Sequence, residues 1–343
     1  MKKSLYAVLS LMVVVLLSAF FLPEHAGEQT EKRFFGALPS LFYMENGGEE
    51  APENDGITLD VYLTEEGKLR SIPLEEYTAG VVAAETPMNY HAEALNAQAV
   101  AARSYALYKS KWYSGEGCLS HPEADVCSSP GCCQGYVPPD DDIYKNAIKA
   151  AKDTENLIVT FRNHPIRALY HACSGGHTEN AENVFSEALA YLRGVPSPGE
   201  EGHLRYENSV KMHISELEEA FLGDENIIFL MDYPVSEQIE ILSQSDTGRV
   251  MDVRIGLTKI SGTEFRQKLN LDSTNFLMEF NDEEAIVTFL TKGYGHGVGL
   301  SQAGAQAMAL EGKTFEEILS YYYSGVSVQS ADAIIEKEVV SKA

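Results

Sequence analysis

Pro87 fixes where a helix must end. From Leu74 to Glu85 apolar or small side chains stand at 74, 77, 81, 82 and 84, a helical spacing. The proline at 87 disfavours helical geometry at Thr86, so the helix stops at or beside Glu85. A glutamate there sits near the negative end of the helix dipole, among small apolar neighbours. Both surroundings disfavour the carboxylate and predict a raised pKa, which suits a general acid working near neutrality. A solvated glutamate at a helix end, the commoner case, fits the position as well, so the rest of the chain has to decide.

Ile57 to Leu63 alternates apolar and polar residues and reads as a strand. An alanine-rich helical pattern runs from Ala92 to about Trp112 and suits close packing. Further helices are predicted over Tyr144 to Thr154 and Ile214 to Phe221. Strands are predicted over Leu157 to Phe161, Arg167 to Cys173, Arg249 to Gly256 and Ala285 to Lys292. A glycine-rich turn over Gly293 to Gly299 leads into a helix from Ser301 to about Leu310, which Gly312 closes. Strands and helices mix without regular alternation. The fold class is therefore α+β, an irregular mixed domain over 57–330, with 199–246 as a smaller subdomain or insertion and 331–343 as a tail.

The chain has 26 Lys+Arg against 51 Asp+Glu, a net charge of −25. Nucleic acid is excluded as a partner, because phosphate binding needs basic surface, whereas a neutral polysaccharide is compatible. Lys2-Lys3 precedes nineteen uncharged, mostly apolar residues from Ser4 to Leu22. That length spans a bilayer core, and the positive flank orients the N-terminus to the cytoplasm. Residues 1–23 thus read as a single-pass membrane anchor with the domain outside the cytoplasm, and 24–56 as a flexible polar tether reaching about 30 Å. A cleaved signal peptide is the alternative, but Phe20-Phe21-Leu22-Pro23 makes a poor cleavage site.

Four ordered motifs carry a resemblance: Val81 to Pro87, Ala97 to Tyr105, Cys173-Ser174-Gly175-Gly176-His177-Thr178, and Gly293 to Ala305. Together they resemble the stage II sporulation protein D family, which also includes amidase-enhancer proteins of bacterial cell walls. The resemblance implies a lytic transglycosylase that cuts peptidoglycan glycan strands during engulfment, from the mother-cell side of the sporulation septum, with Glu85 as catalytic acid. It implies that Arg103, Thr178, Tyr191 and Arg193 lie near a sugar-binding groove, lysine being the family's residue at the position of Arg193. An ordinary ion pair on the long helix is the competing reading of Arg103. It further implies a complex with a sporulation amidase and a membrane protein. A non-catalytic, wall-binding enhancer of a partner amidase is the alternative function.

A lytic transglycosylase needs only one carboxyl group. The group protonates the leaving glycosidic oxygen, then takes the proton of the muramic acid 6-hydroxyl as a 1,6-anhydro ring closes, whereas ordinary glycosidases use two carboxylates. His177 and His296, each beside glycine, are either hydrogen-bonders of the groove or satisfied structural histidines.

His121, Cys127, Cys132 and Cys133 fall within thirteen residues, with Cys118 just upstream. An exported compartment allows disulfides, yet five cysteines are an odd number and the adjacent pair is awkward for two independent bridges. A sulfur and imidazole set in a Gly/Pro-rich loop equally suits tetrahedral zinc. The resemblance implies zinc on His121, Cys127, Cys132 and Cys133. With four protein ligands and no open position, its role is structural. Cys173 reads as a buried packing cysteine.

Overall fold

The computed structural model describes residues 56–334 apart from Ser114, Asp141 and Ser186. The apolar segment 4–22, nearly all of the expected tether and the tail from 335 lie outside the described residues. Among the described residues no helix is long and apolar enough to cross a membrane.

β1 (Thr58–Leu63) buries Leu59, Val61 and Leu63 on one face, as its alternation predicts. It pairs antiparallel with β2 (Lys68–Pro73) and parallel with β3 (Val126–Cys127). β2 was not expected, because only Ile72 of its six residues is buried. Helix α1 (Leu74–Glu85) follows at once and ends where Pro87 requires, with Thr86 already extended at φ −128° and ψ 138°.

Helix α2 (Ala92–Lys109) is the centre of the molecule. Every residue from Ala94 to Leu107 is buried, which its small side chains permit because neighbouring elements can approach on all sides. Around it pack α1, α3 (Lys145–Asp153) and the sheet edge of β4 (Leu157–Phe161), which pairs with β5 (His164–Pro165) and with β14 (Ser327–Ser330). The strand expected over 167–173 shrinks to β6 (Tyr170–His171), which pairs in parallel with the two-residue β13 (Leu300–Ser301), while Cys173 makes only an isolated antiparallel bridge to Tyr294. The short helix α4 (Glu182–Phe185) lies beyond β6, and α8 (Gln302–Leu310) and α9 (Phe315–Tyr322) close the core over α2.

Residues 207–292 build around an apolar core of their own. It contains two antiparallel sheets, ordered β11-β12-β7 and β10-β9-β8. The elements are β7 (Glu207–His213), α5 (Ile214–Ala220), α6 (Val235–Gln238), β8 (Ile239–Gln244), β9 (Val250–Ile255), β10 (Thr258–Ser261), α7 (Gly262–Lys268), β11 (Phe276–Asn281) and β12 (Ile286–Lys292). Phe221, Phe229, Phe265, Phe276 and Phe289 form its centre. Each fully buried phenylalanine contributes about 1.5–3 kcal/mol. This unit runs well past the 199–246 expected for a subdomain, because the late strands β9 and β12 pair inside it, β9 with β8 and β12 with β7.

Candidate active site

Glu85 ends α1 and turns its carboxyl group toward the chain that follows the cysteine cluster. Its Oε1 accepts a 2.6 Å hydrogen bond from the backbone N–H of Gly135. Among the described residues no donor reaches Oε2. Burial pushes the Glu85 pKa above its ordinary value, and the Gly135 hydrogen bond opposes part of that rise. Gly135 is itself held from the preceding residue. The buried Gln134 amide accepts from the Tyr77 hydroxyl at 3.2 Å and donates to the Tyr170 hydroxyl at 3.0 Å. Burial raises the pKa of both tyrosines, so their protons stay in place.

The carboxyl group opens into a cleft of about 780 Å³. Besides Glu85 its walls include Arg167, His171, Arg266, Tyr294 and His296, and among its lining residues Glu85 carries the only carboxyl group. His296 Nδ1 accepts from the Val298 N–H at 3.0 Å, while His171 Nδ1 lies 3.3 Å from the Val298 carbonyl. Burial lowers both pKa values, with help from the positive field of Arg249, that of His296 down to about 3. Both rings are therefore neutral.

The expected groove residues separate into two groups. His296 lines the cleft with Glu85. Arg103 does not, because its guanidinium is fully buried and its donors are used up. It pairs with both carboxylate oxygens of Glu75 and also reaches the carbonyls of Leu157, at 2.9 Å, and Ala151, at 3.1 Å. An ion pair, the competing reading, is present, but it runs from the long helix to Glu75 on α1. Thr178, His177 and Arg193 also lie off the cleft lining and brace the loop between residues 174 and 197. The Thr178 hydroxyl donates to the Val195 carbonyl and accepts from the Val195 N–H, at 3.2 and 2.8 Å. His177 Nδ1 lies 2.7 Å from the Thr178 carbonyl. Arg193 makes a two-pronged pair with Glu182. Tyr191 acts at one remove, its hydroxyl accepting a 3.2 Å hydrogen bond from the backbone N–H of Arg167.

Two buried carboxylates that the sequence did not single out brace the chain from residue 174 to 200. Glu200, 1 % exposed, gathers the Ser174 and Gly175 N–H groups and the Ser174 and Ser197 hydroxyls, at 2.6 to 3.0 Å. The turn it stabilises requires φ +74° at Gly175, where a Cβ would come within 2.8 Å of the Gly293 nitrogen. Glu179 accepts from Asn183, Ser245 and Thr247 and so ties this loop to the 207–292 unit.

The cysteine cluster differs from expectation in one member. The sulfurs of Cys118, Cys127, Cys132 and Cys133 lie within 4.8 Å of one another, and no pair forms a disulfide. Cys118 and Cys132 are 3.6 Å apart, Cys132 and Cys133 3.9 Å. Four sulfurs about 2.3 Å from a tetrahedral zinc would stand about 3.8 Å from each other, so the set fits that ion. His121 is outside it. The turn closed by the Cys118 N–H on the Ala124 carbonyl, at 3.0 Å, points Cys118 inward. The His121 ring instead stacks on Tyr62 at 3.6 Å. Cys132 and Cys133 also line the cleft, three and two residues before the N–H that holds Glu85.

The fold and cleft define a mixed α+β protein whose cleft lining carries a single carboxyl group. Its sequence relatives are specific. The stage II sporulation protein family pattern matches residues 62–161. The stage II sporulation protein D of Bacillus subtilis strain 168 is 31% identical over 328 residues, covering 92% of this chain and 90% of that protein. That of Bacillus amyloliquefaciens is 32% identical over 331 residues, covering 93% and 89%. An amidase enhancer of Bacillus subtilis strain 168 is 25% identical over 298 residues, covering 73% of this chain and 40% of that protein. The chain belongs to the stage II sporulation protein D family.

Proposed function

We propose that the protein is a lytic transglycosylase that cuts the MurNAc–GlcNAc bond of peptidoglycan and leaves 1,6-anhydro ends, with Glu85 as both acid and base. The observation that carries this reading is the lone carboxyl group of the cleft. Hydrolysis by the ordinary route calls for a second carboxylate at a defined separation, whereas intramolecular attack by the 6-hydroxyl does not. With Oε1 taken by the Gly135 N–H, the acid proton resides on Oε2, the atom left free for the glycosidic oxygen. After bond cleavage the same hydrogen bond steadies the carboxylate that must accept the hydroxyl proton. The raised pKa keeps a fraction of Glu85 protonated closer to neutrality than an ordinary carboxyl group.

Cys118, Cys127, Cys132 and Cys133 would hold a structural zinc, which supplies a crosslink and no open position for a reactant. The apolar segment 4–22 behind Lys2-Lys3 supports a single-pass anchor that keeps the domain near the membrane on its outer side. Relationship to an amidase enhancer supports a second reading, a wall-binding partner that stimulates an amidase; the membrane protein expected in the same complex is part of this proposal. Incubating the protein with purified glycan strands, alone and with an amidase, separates the two. Cleavage without the amidase supports the enzyme; an effect seen only through the amidase supports the enhancer.

A further inference from the structure

A chain of net charge −25 has a cleft whose lining carries arginine and almost no acid. Arg167 and Arg266 both line it, and their only acidic neighbour in the lining is Glu85, which burial biases toward its neutral form. That inversion of sign needs a reason.

Arg266 comes from α7 in the 207–292 unit. Its Nε donates to the Leu271 carbonyl and its Nη2 to the Asp272 carbonyl, each at 3.0 Å. Those two bonds fix one edge of the guanidinium and leave Nη1 without an acceptor among the described residues. The nearby Asp272 carboxylate attracts it without bonding it and is shared with Arg205 at 3.1 Å and Asn208 at 2.9 Å. Arg167 lies over the Phe185 ring at 4.9 Å, and its partner Glu187 is a loose one at 3.6 Å, itself 55% exposed. Arg249 adds to the positive field. It is 1% exposed, donates once to the Ser174 carbonyl at 2.9 Å, and has two nitrogens without a partner. His171 and His296, both neutral, contribute nothing negative. Guanidinium groups taken partly out of water with only loose or shared carboxylate neighbours gain from an anion that completes them, and the planar fork matches a carboxylate.

We propose that Arg167 and Arg266 form a carboxylate-binding subsite in the Glu85 cleft, which recognises an acid group carried by the muramic acid residues of the strand. The proposal rests on the transglycosylase reading for the nature of the ligand. Two sources offer that chemistry: the lactyl carboxylate, free wherever the stem peptide has been removed, and the acidic side groups of an attached stem peptide. The lactyl group is joined directly to the sugar ring through its ether oxygen and so remains close to whichever sugar occupies the cleft.

The test reads binding instead of turnover, with the full-length Glu85→Gln protein so that strands stay intact. Peptide-free glycan strands are titrated beside the same strands with their carboxyl groups reduced to alcohols. Charged hydrogen bonds of this kind predict about 10- to 100-fold weaker binding of the reduced strands. In the Glu85→Gln background, Arg167→Gln and Arg266→Gln should each lower affinity for the acid strands and leave affinity for the reduced strands unchanged, with Arg266→Lys recovering part of the loss. Strands still bearing stem peptides identify the source. Arginine dependence that disappears with the peptide attached assigns the lactyl group, and dependence that persists assigns the peptide acids; either supports the subsite. Equal binding of acid and reduced strands would overturn it. So would arginine variants that weaken both kinds of strand alike, which is the signature of a disturbed fold. Carboxylate-dependent binding without any cleavage by the native protein would instead sink the transglycosylase reading and leave the subsite standing.

Discussion

The backbone N–H of Gly135 lies 2.6 Å from Oε1 of Glu85, and this one contact joins the acid group to the cysteine cluster. Gly135 follows Cys133 by two residues, and Gln134 between them is pinned by Tyr77 and Tyr170. A site with one carboxyl group depends on the placement of that group more than a site with two, because no neighbour can assume its role.

Glu85→Gln should fold and release no anhydro ends. Acid and base roles are each worth about 10²–10⁴ in rate, so a group serving both should cost several orders of magnitude when removed. Mass spectrometry of strand ends beside a melting curve is the check; undiminished cleavage removes the assignment.

The same variant has a stability signature. Glu85 has a folded pKa above its ordinary 4.5, so its ionised form is disfavoured in the fold. Above the folded pKa the group is charged in both states and the native protein bears the penalty; below about 4.5 it is neutral in both and the penalty vanishes. Glu85→Gln should therefore melt higher than the native protein at alkaline pH, with the gap closing as pH falls. The native activity should fall as pH rises through the raised pKa. A gap that widens on acidification would contradict the shift.

Gly135→Ala tests the placement. A Cβ there would come 2.9 Å from Glu85 Oε1 and push the carboxyl group aside. Misplacing a reacting group by about 1 Å can cost about 10² in rate. The expected outcome is a loss of that order with melting temperature little changed; native activity in this variant would show that the contact is incidental.

How far the sequence reached depends on the distance over which each residue is decided. Helix α1 was legible because Pro87 ends it locally, and α2 because its apolar and alanine pattern is unbroken. β2 was not, since Lys68, Arg70 and Ser71 face solvent and only pairing with β1 holds it. β8 was missed inside the stretch 199–246, read as a subdomain or insertion, and β11 beyond it, and both belong to a core whose phenylalanines meet only after folding. Glu85 was found from its own helix. Arg103 could not be separated from a groove residue without Glu75, 28 positions upstream. Cys118 and His121 are both plausible ligands by spacing, and the turn at Ala124 alone turns one inward. Arg167 and Arg266 stand 99 positions apart, and no local pattern in the sequence joins them.

Glu75→Ala leaves a fully buried guanidinium without its carboxylate. Breaking a buried pair from one side costs about 3–5 kcal/mol, and the carbonyls that Arg103 retains place this one toward the lower end. Denaturant unfolding measures it. A change under 1 kcal/mol would mean that water reaches the arginine.

Cys118→Ser should reduce zinc content sharply, while His121→Ala should keep about one ion per chain. Metal analysis of the purified variants under reducing conditions decides between them. The opposite pattern would restore the histidine as ligand. Chelation of the native protein should lower its melting temperature.

The product of the native protein acting alone on purified, peptide-free glycan strands tests the central claim most directly. Mass spectrometry of the new ends should find 1,6-anhydromuramic acid, each end lighter than a reducing end by one water. Ordinary reducing ends would make the protein a hydrolase with an unrecognised second group, and no new ends at all would contradict a catalytic role for Glu85.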